Sequence, residues 1–297
     1  MLLLSACLIL TSVTVDPRRL QHTVSALAAE PRPGGSEAHA RARALIRAEL
    51  EGAGWVVNDD RFAIPGADGV NLLAVHAQAP LDRPRLLVGA HYDSQEETPG
   101  ADDNASAVAV LLELARLITP SPADAVQLQL IAYDLEEWGM RGSAHHARLL
   151  RLARTPVHGM ISLEMLGCCD PRPGSQCLPD ALRGHYPDTG DFIAVVGNDA
   201  SASFTRAVAR SMATCPGLKV EMLLLPGDGS AVGGARLSDH SPFWDEGFPA
   251  LMITDTSFYR NPHYHQPTDT PETLDYGFLA RVGEGVLAAV RTLMQGQ

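Results

Sequence analysis

Apolar runs and helical patterns alternate along most of the chain, and this alternation predicts its secondary structure. Two N-terminal segments carry apolar residues three or four positions apart, the spacing of an amphipathic helix. Further along, short continuous apolar runs bounded by turn residues predict buried strands. The predicted strands are 55–64, 70–76, 85–90, 126–133, 159–165, 192–196, 219–225 and 249–254, and the predicted helices are 16–29, 36–53, 105–118, 142–151, 201–213 and 271–294.

Strands that alternate with helices predict an α/β fold, a three-layer sandwich in which helices flank a mostly parallel mixed sheet. Two segments rich in glycine and other turn residues, 166–190 and 226–238, are predicted as loops. Open sheets of this kind bind ligands beyond the carboxyl ends of their strands. The residues that directly follow each predicted strand are therefore the first place to search for a functional site.

Composition and charge narrow the function. The chain has 297 residues, of which 45% are apolar, and its 35 acidic residues outnumber the 23 Lys and Arg. A nucleic-acid-binding protein should show a basic patch, so we expect no nucleic-acid partner. No apolar run approaches the ~20 residues that a transmembrane helix needs. We expect one catalytic domain over residues 16–297.

The first residues have the character of an export signal. Residues 2–15 are mostly apolar and uncharged, as in the hydrophobic region of a signal peptide. The stretch 4–7, Leu-Ser-Ala-Cys, also fits the bacterial lipoprotein pattern in which the cysteine, here Cys7, carries a lipid anchor. We expect residues 1–15 to be a signal-like or lipoprotein-anchor segment. The expected location is the cell envelope or the exterior, with the cytoplasm as the alternative.

The remaining cysteines leave two alternatives open. Cys177 can form a disulfide with Cys168 or Cys169 across a short loop in an oxidising compartment, or all of these cysteines, with Cys215, are reduced thiols.

Ionisable side chains cluster where the predicted strands end. Carboxylates crowded at one edge of a sheet repel each other unless cations neutralise them. Imidazole and carboxylate ligands without paired thiolates favour zinc, with cobalt or manganese as alternatives. The candidate residues are His91, Asp93, Asp103, Glu136, Glu137, Glu164 and His265.

Two of these groups suit roles other than metal ligation. A carboxylate that lies beside a metal without binding it can act as a general base, and the adjacent Glu136 and Glu137 suit a division into one base and one ligand. Asp93 follows His91 by two residues and is placed to orient its imidazole.

Six motifs in a fixed order make the sequence similar to the co-catalytic zinc aminopeptidases. The clan includes the bacterial leucyl aminopeptidases, glutamate carboxypeptidase and the glutaminyl cyclases, and the resemblance covers roughly residues 85–275. The motifs are HYDS (91–94), GADDNAS (100–106), DLEEWGMRGS (134–143), SLEMLG (162–167), SDHSPF (238–243) and YHQPTDT (264–270).

The resemblance implies a role for each candidate residue. Asp103 would bridge two zinc ions. His91 and Glu164 would complete one metal site, and Glu137 and His265 would complete the other. Glu136 would be the general base. We also count Asp93 among the catalytic residues, because it is placed to orient the His91 imidazole. The resemblance also implies a cis peptide bond after Asp103.

One position departs from the family pattern. The family usually has Asp where this chain has Glu164, whose longer side chain still offers a carboxylate ligand. We therefore keep Glu164 in the expected ligand set.

The resemblance implies an exopeptidase that removes N-terminal residues from peptides by metal-activated water. Its partner would be a peptide with a free N-terminus. The alternative is a glutaminyl-peptide cyclotransferase, which would need a single zinc held by Asp103, Glu137 and His265. A metal-poor binding module on the same fold predicts loss of these residues, and all of them are present. The preferred substrate and the oligomeric state are not predicted.

Overall fold

The computed structural model describes residues 14–296, so the expected lipid-anchor cysteine, Cys7, lies outside the described residues. The helices are α1 (Pro17–Leu27), α2 (Glu37–Gly52), α3 (Ala107–Leu117), α4 (Arg141–Leu152), α5 (Ala202–Met212), α6 (Ser241–Asp245) and α7 (Tyr276–Met294). The strands are β1 (Trp55–Ile64), β2 (Ala67–His76), β3 (Arg85–His91), β4 (Gln127–Tyr133), β5 (Val157–Glu164), β6 (Asp170–Pro173), β7 (Thr189–Gly190), β8 (Phe192–Asn198), β9 (Lys219–Leu225) and β10 (Ala250–Thr254).

Eight of these strands form one mixed sheet in the order β1-β2-β4-β3-β5-β10-β8-β9. The four central strands, β4, β3, β5 and β10, are parallel to one another, and β8 is parallel to β9. The pairs β1–β2, β2–β4 and β10–β8 are antiparallel. The predicted α/β fold with a mixed central sheet is confirmed.

Helices cover the two faces of the sheet unequally. On one face α3 and α7 pack over the main hydrophobic core, with α1, α2 and α5 beside them. On the other face α4 and α6 cover a smaller core around Tyr133, Met160 and Phe243. Beyond this core, loops rather than helices cover β8 and β9. This leaves room for a cavity between the sheet and those loops.

Some segments differ from the sequence prediction. The predicted loop 166–190 contains the short strands β6 and β7, which pair with each other. The predicted helix 271–294 starts only at Tyr276, because the Asp275 side chain accepts the backbone N–H of Phe278 and caps the helix there. A turn, Ala101–Ser106, with non-helical backbone angles at Asp103 and Asn104, precedes α3.

The described cysteines form no disulfide, and the described helices include none that could span a membrane. Cys168, Cys169, Cys177 and Cys215 are free thiols. Within residues 14–296 no helix combines the length and the apolar character that a bilayer crossing requires.

A buried arginine fixes the connection that follows β3. Arg32 is 1% exposed, and its guanidinium donates hydrogen bonds to the carbonyl oxygens of Tyr92, Pro99 and Gly100. Its backbone N–H also donates to Ser94 Oγ at 3.0 Å. Both ends of segment 92–100 are therefore held by one side chain. Because buried carbonyl groups need donors, this loop depends on Arg32 for its conformation.

We expect Arg32→Met to lower the free energy of unfolding by about 3 kcal/mol, because it leaves several buried carbonyl groups without a donor. Urea unfolding of the metal-free protein measures the change. Arg210→Met, at an exposed position of α5, is the control and should change stability by no more than about 0.5 kcal/mol. A loss below about 1 kcal/mol in Arg32→Met would contradict this role.

Candidate metal centre

The ends of the central strands bring the candidate residues to one edge of the sheet. His91 is the last residue of β3 and Glu164 is the last residue of β5. Glu136 and Glu137 follow β4, and Asp103 lies in the turn before α3. His265 comes from the long connection between β10 and α7, where its backbone has a positive φ of 55°.

These side chains form two groups that share one carboxylate. In the first group, His91 Nε2 lies 3.2 Å from Asp103 Oδ1 and 3.6 Å from Glu164 Oε2. In the second group, His265 Nε2 lies 3.2 Å from Asp103 Oδ2 and 3.3 Å from Glu137 Oε2. The two oxygens of Asp103 therefore face different groups. This is the arrangement that a carboxylate bridging two metal ions would have.

The donor atoms of both groups fit a metal ion. In each group one atom from each residue lies within 4.8 Å of the others. His91 is 1% exposed, and neither of its ring nitrogens has a hydrogen-bond partner among the described residues. Buried polar atoms are rarely left without a partner, so Nε2, which faces Asp103 and Glu164, calls for a ligand. Imidazole and carboxylate donors in groups of three suit zinc with one open position.

A neighbouring acidic group behaves differently. Asp102, Cys168 and Asp255 also lie close enough to hold a cation. However, the two oxygens of Asp102 accept hydrogen bonds from the Gly167 backbone and the Asn261 side chain. The two oxygens of Asp255 accept the backbone N–H groups of Cys168 and Ser257. These carboxyl oxygens already have partners, so this group serves to hold the backbone.

Asp93 contacts His91 and also holds the segment that carries both glutamates. Asp93 Oδ1 lies 3.4 Å from His91 Nδ1, on the side of the ring away from Asp103. The same carboxylate accepts the backbone N–H groups of Glu136 and Glu137, each at 3.1 Å. Asp93 thus links the imidazole to the glutamate pair. Sequence reasoning missed this second contact, which joins residues more than 40 positions apart.

Asn104 ties the Asp103 turn to the end of β5. Its side-chain amide donates to the Leu163 carbonyl at 3.0 Å and accepts the Met165 N–H at 2.9 Å. Because these groups flank Glu164, the amide fixes Asp103 relative to Glu164. The peptide bond between Asp103 and Asn104 is cis, as the resemblance implies. Sequence reasoning did not assign Asn104 this role.

Asp269 holds the same turn from the other side. Its two carboxylate oxygens accept the backbone N–H groups of Asp102 and Asp103 at 2.9 and 3.1 Å. Asp269 is fully buried. It lies four residues after His265 in the YHQPTDT motif, so one short segment supplies both a candidate ligand and the support of the shared carboxylate. That motif is the one sequence signal that pointed to Asp269.

Glu164 has a further partner in the SDHSPF motif. The Ser238 hydroxyl donates to Glu164 Oε2 at 2.7 Å and lies 2.9 Å from the Ser162 hydroxyl. This contact orients the carboxylate whose extra methylene distinguishes this chain from the family pattern. His263, in contrast, is half-buried and contacts Thr268, and it belongs to neither group.

Glu136 lies beside the first group without belonging to either. Its Oε2 atom is 4.0 Å from His91 Nε2. Burial raises the pKa of Glu136 well above its usual range, and the negative charges of Glu164 and Glu137 act in the same direction. A carboxylate with a raised pKa at this position is suited to accept and return a proton near neutral pH.

A cavity of about 270 Å³ adjoins the two groups. Asp103, Glu136, Glu137, Glu164 and His265 line one end of it. Its other walls are mostly apolar and come from β8, β9, β10 and the loops around 178–186 and 232–237. A pocket with a few polar groups at one end of an apolar space is the usual form of a small-molecule or side-chain site.

The comparison with known proteins identifies the family. The model of peptidase family M28 matches residues 71–290. The chain belongs to peptidase family M28. This confirms the resemblance that the motifs indicated, and it makes the chain a hydrolase of the M28 peptidases.

The chain is also similar to individual known proteins. The chain is 39% identical to the Escherichia coli protein YfbL over 289 residues, which cover 92% of this chain and 87% of YfbL. It is 28% identical to the Bacillus subtilis aminopeptidase YwaD over 227 residues, or 74% of this chain, but spans only 44% of YwaD. The fold matches the Legionella pneumophila LapA aminopeptidase with a TM-score of 0.76 at 18% identity, over 95% of this chain and 72% of LapA.

We expect Asp269→Asn to lower zinc affinity by about 10- to 100-fold, because an amide oxygen cannot replace a carboxylate that accepts two backbone N–H groups. Competition with a chelating dye measures the affinity. Asp275→Asn is the matched control, because asparagine caps a helix as well as aspartate does and Asp275 contacts no candidate ligand. Equal zinc affinity in the two variants would show that Asp269 does not support the site.

Proposed function

We propose that the protein is a zinc-dependent aminopeptidase that hydrolyses the first peptide bond of peptides with a free N-terminus. The observation that supports this most is the pair of three-residue groups that share Asp103, with the unligated Glu136 beside them. The assignment to the M28 peptidases supplies the reaction class.

We assign the metal ligands from this geometry. His91, Asp103 and Glu164 would hold one zinc ion, and Asp103, Glu137 and His265 would hold the second. When bound, zinc supplies Lewis-acid polarisation of the scissile carbonyl and makes water more acidic.

Glu136 is the proposed general base. Its carboxylate accepts a proton from the attacking water and then returns that proton to the leaving amine. Glu136 thus acts first as a base and then as an acid. Asp93 positions Glu136 through the backbone of the glutamate pair and holds the His91 ring. A shift in Asp93 would displace the base and a ligand together.

The proposal that cleavage takes place at the N-terminus of the substrate rests on the cavity and on one relative. An apolar cavity beside the candidate zinc site suits one side chain of the substrate, the residue whose peptide bond is cleaved. The relative YwaD, which shares 28% identity with this chain, is named an aminopeptidase. Four acidic side chains at the same end offer contacts to a positively charged free amino group.

The first test is mass spectrometry on a mixed pool of free-N-terminus peptides with zinc-loaded protein. We expect stepwise loss of N-terminal residues that stops with a chelator. Glu136→Gln should lower kcat by about 10²- to 10⁴-fold with unchanged zinc content, because it removes the base and leaves the ligands intact. Loss of ammonia from Gln-starting peptides alone would instead identify a cyclotransferase. Full activity in Glu136→Gln would refute the assigned base.

The second test counts metal ions. We expect two zinc ions per chain after exhaustive dialysis against metal-free buffer. Glu164→Ala and Glu137→Ala should each retain about one, because each removes a ligand from a different group. Glu51→Ala, on the exposed surface of α2, should retain both. Elemental analysis gives the count. One zinc in the wild-type protein, unchanged in Glu164→Ala, would support the single-zinc alternative.

A further inference from the structure

The end of the cavity farthest from the zinc ligands carries a single carboxylate, Glu221. It belongs to β9, an edge strand of the sheet, and lines the cavity. Its neighbours on the strand, Val220 and Met222, face the opposite side of the sheet, below α5. The side-chain alternation of a strand therefore turns Glu221 and Leu223 into the cavity.

Among the described residues no Lys or Arg forms an ion pair with Glu221, and Lys219, two positions earlier on β9, pairs with Asp191 instead. Among the described residues that line the cavity, none is a Lys or an Arg. Burial raises the pKa of Glu221, and no neighbouring cation opposes this effect. A partly buried carboxylate without a countercharge is costly to the protein by itself. It becomes favourable when a ligand brings the missing positive charge into the cavity.

The sheet register relates Glu221 to the metal centre. Glu164 pairs with Thr254, Thr254 pairs with Ala194, and Ala194 pairs with Glu221. Residues paired across neighbouring strands point to the same face. All four therefore lie in one row on the cavity side, with Glu164 at the zinc end and Glu221 at the far end. The two residues between them, Thr254 and Ala194, have small side chains and leave the floor open.

The distance along this row favours a substrate whose first residue has a long side chain. Three strand spacings of about 4.8 Å separate the Glu164 and Glu221 backbones by about 14 Å. A Lys or Arg side chain extends about 6–7 Å from its Cα atom when fully stretched. The Glu221 side chain stands roughly perpendicular to the sheet, so its carboxylate stays near the far end of the row. A short side chain held at the zinc end therefore stops well before Glu221, and the side chains of Lys and Arg extend farthest towards it.

The walls between the two ends suit the stem of such a side chain. Phe192, Leu223 and Tyr186 line this part of the cavity. The Tyr186 hydroxyl donates to the Met222 carbonyl at 3.0 Å, which fixes the ring against the edge strand. Lys and Arg pack their methylene stems on apolar surface and keep the charged group for a polar partner.

Building on the proposed aminopeptidase activity, we propose that Glu221 is a specificity residue that selects N-terminal lysine or arginine. The methylene stem crosses the apolar walls, and the ammonium or guanidinium group pairs with the Glu221 carboxylate. Leucine and methionine fill only the apolar part, and an acidic first residue is repelled. The preferred substrate class is thus a peptide that begins with a basic residue.

The test compares kcat/KM for peptides that differ only in the first residue: Lys, Arg, norleucine, Leu and Glu. Norleucine matches the lysine stem without its ammonium group. The wild-type protein should prefer Lys and Arg over norleucine by about 10- to 100-fold, the effect of one hydrogen-bonded charge pair. Glu221→Gln should remove this preference and leave the rate for norleucine within about twofold. Glu51→Gln is the control and should change none of the ratios.

Two further measurements separate the outcomes. Glu221→Asp keeps the charge on a shorter side chain, so it should retain Arg, the longer substrate, better than Lys. Calorimetry should show tighter binding of lysine amide than of norleucine amide, and Glu221→Gln should abolish the difference. If the wild type cleaves norleucine and lysine peptides equally and Glu221→Gln changes neither, the specificity proposal is wrong while the aminopeptidase stands. If no free-N-terminus peptide is cleaved and neither amide binds, both proposals fail.

Discussion

The sharing of the Asp103 carboxylate between two ligand groups is the constraint on which the rest of the site depends. Each of its oxygens faces a histidine at 3.2 Å, and four further carboxylates lie around it. So much negative charge in a largely buried space is unfavourable without cations. One internal cation, Arg32, lies behind this region, but its guanidinium donates to backbone carbonyl groups. The bound zinc ions that we propose would balance the remaining charge.

The fold holds these charged groups in place with hydrogen bonds between buried polar side chains and the backbone. Asp269 and Asn104 hold the Asp103 turn through the N–H groups and carbonyls of the main chain, and Asp93 does the same for the glutamate pair. Each support comes from a different strand end or loop. The ligand positions are therefore set by the register of the central parallel strands, and a change in that register would separate the two groups.

The sequence predicts most strands and helices, and the candidate ligands it suggests lie together in the structure. A strand needs only a local apolar run, and the candidates His91, Glu137 and Glu164 lie at or just after strand ends. The supporting residues depend instead on distant partners. The Asp269 carboxylate accepts a hydrogen bond from an N–H group 167 positions earlier in the chain. The sequence around Asp269 does not indicate which distant group it contacts. Arg32 lies between prolines in a polar stretch, which indicates an exposed loop, and only the packing of segment 92–100 buries it. Likewise, the strand containing Glu221 is predictable, but the row that aligns it with Glu164 exists only in the assembled sheet.

The most direct test of the central claim is anomalous diffraction at the zinc absorption edge from crystals of the zinc-loaded protein. We expect two zinc peaks about 3.5–4 Å apart, one on each side of the Asp103 carboxylate. One peak should contact His91 and Glu164, and the other should contact Glu137 and His265. A single peak, or two peaks of which one does not contact Asp103, would contradict the shared-carboxylate site.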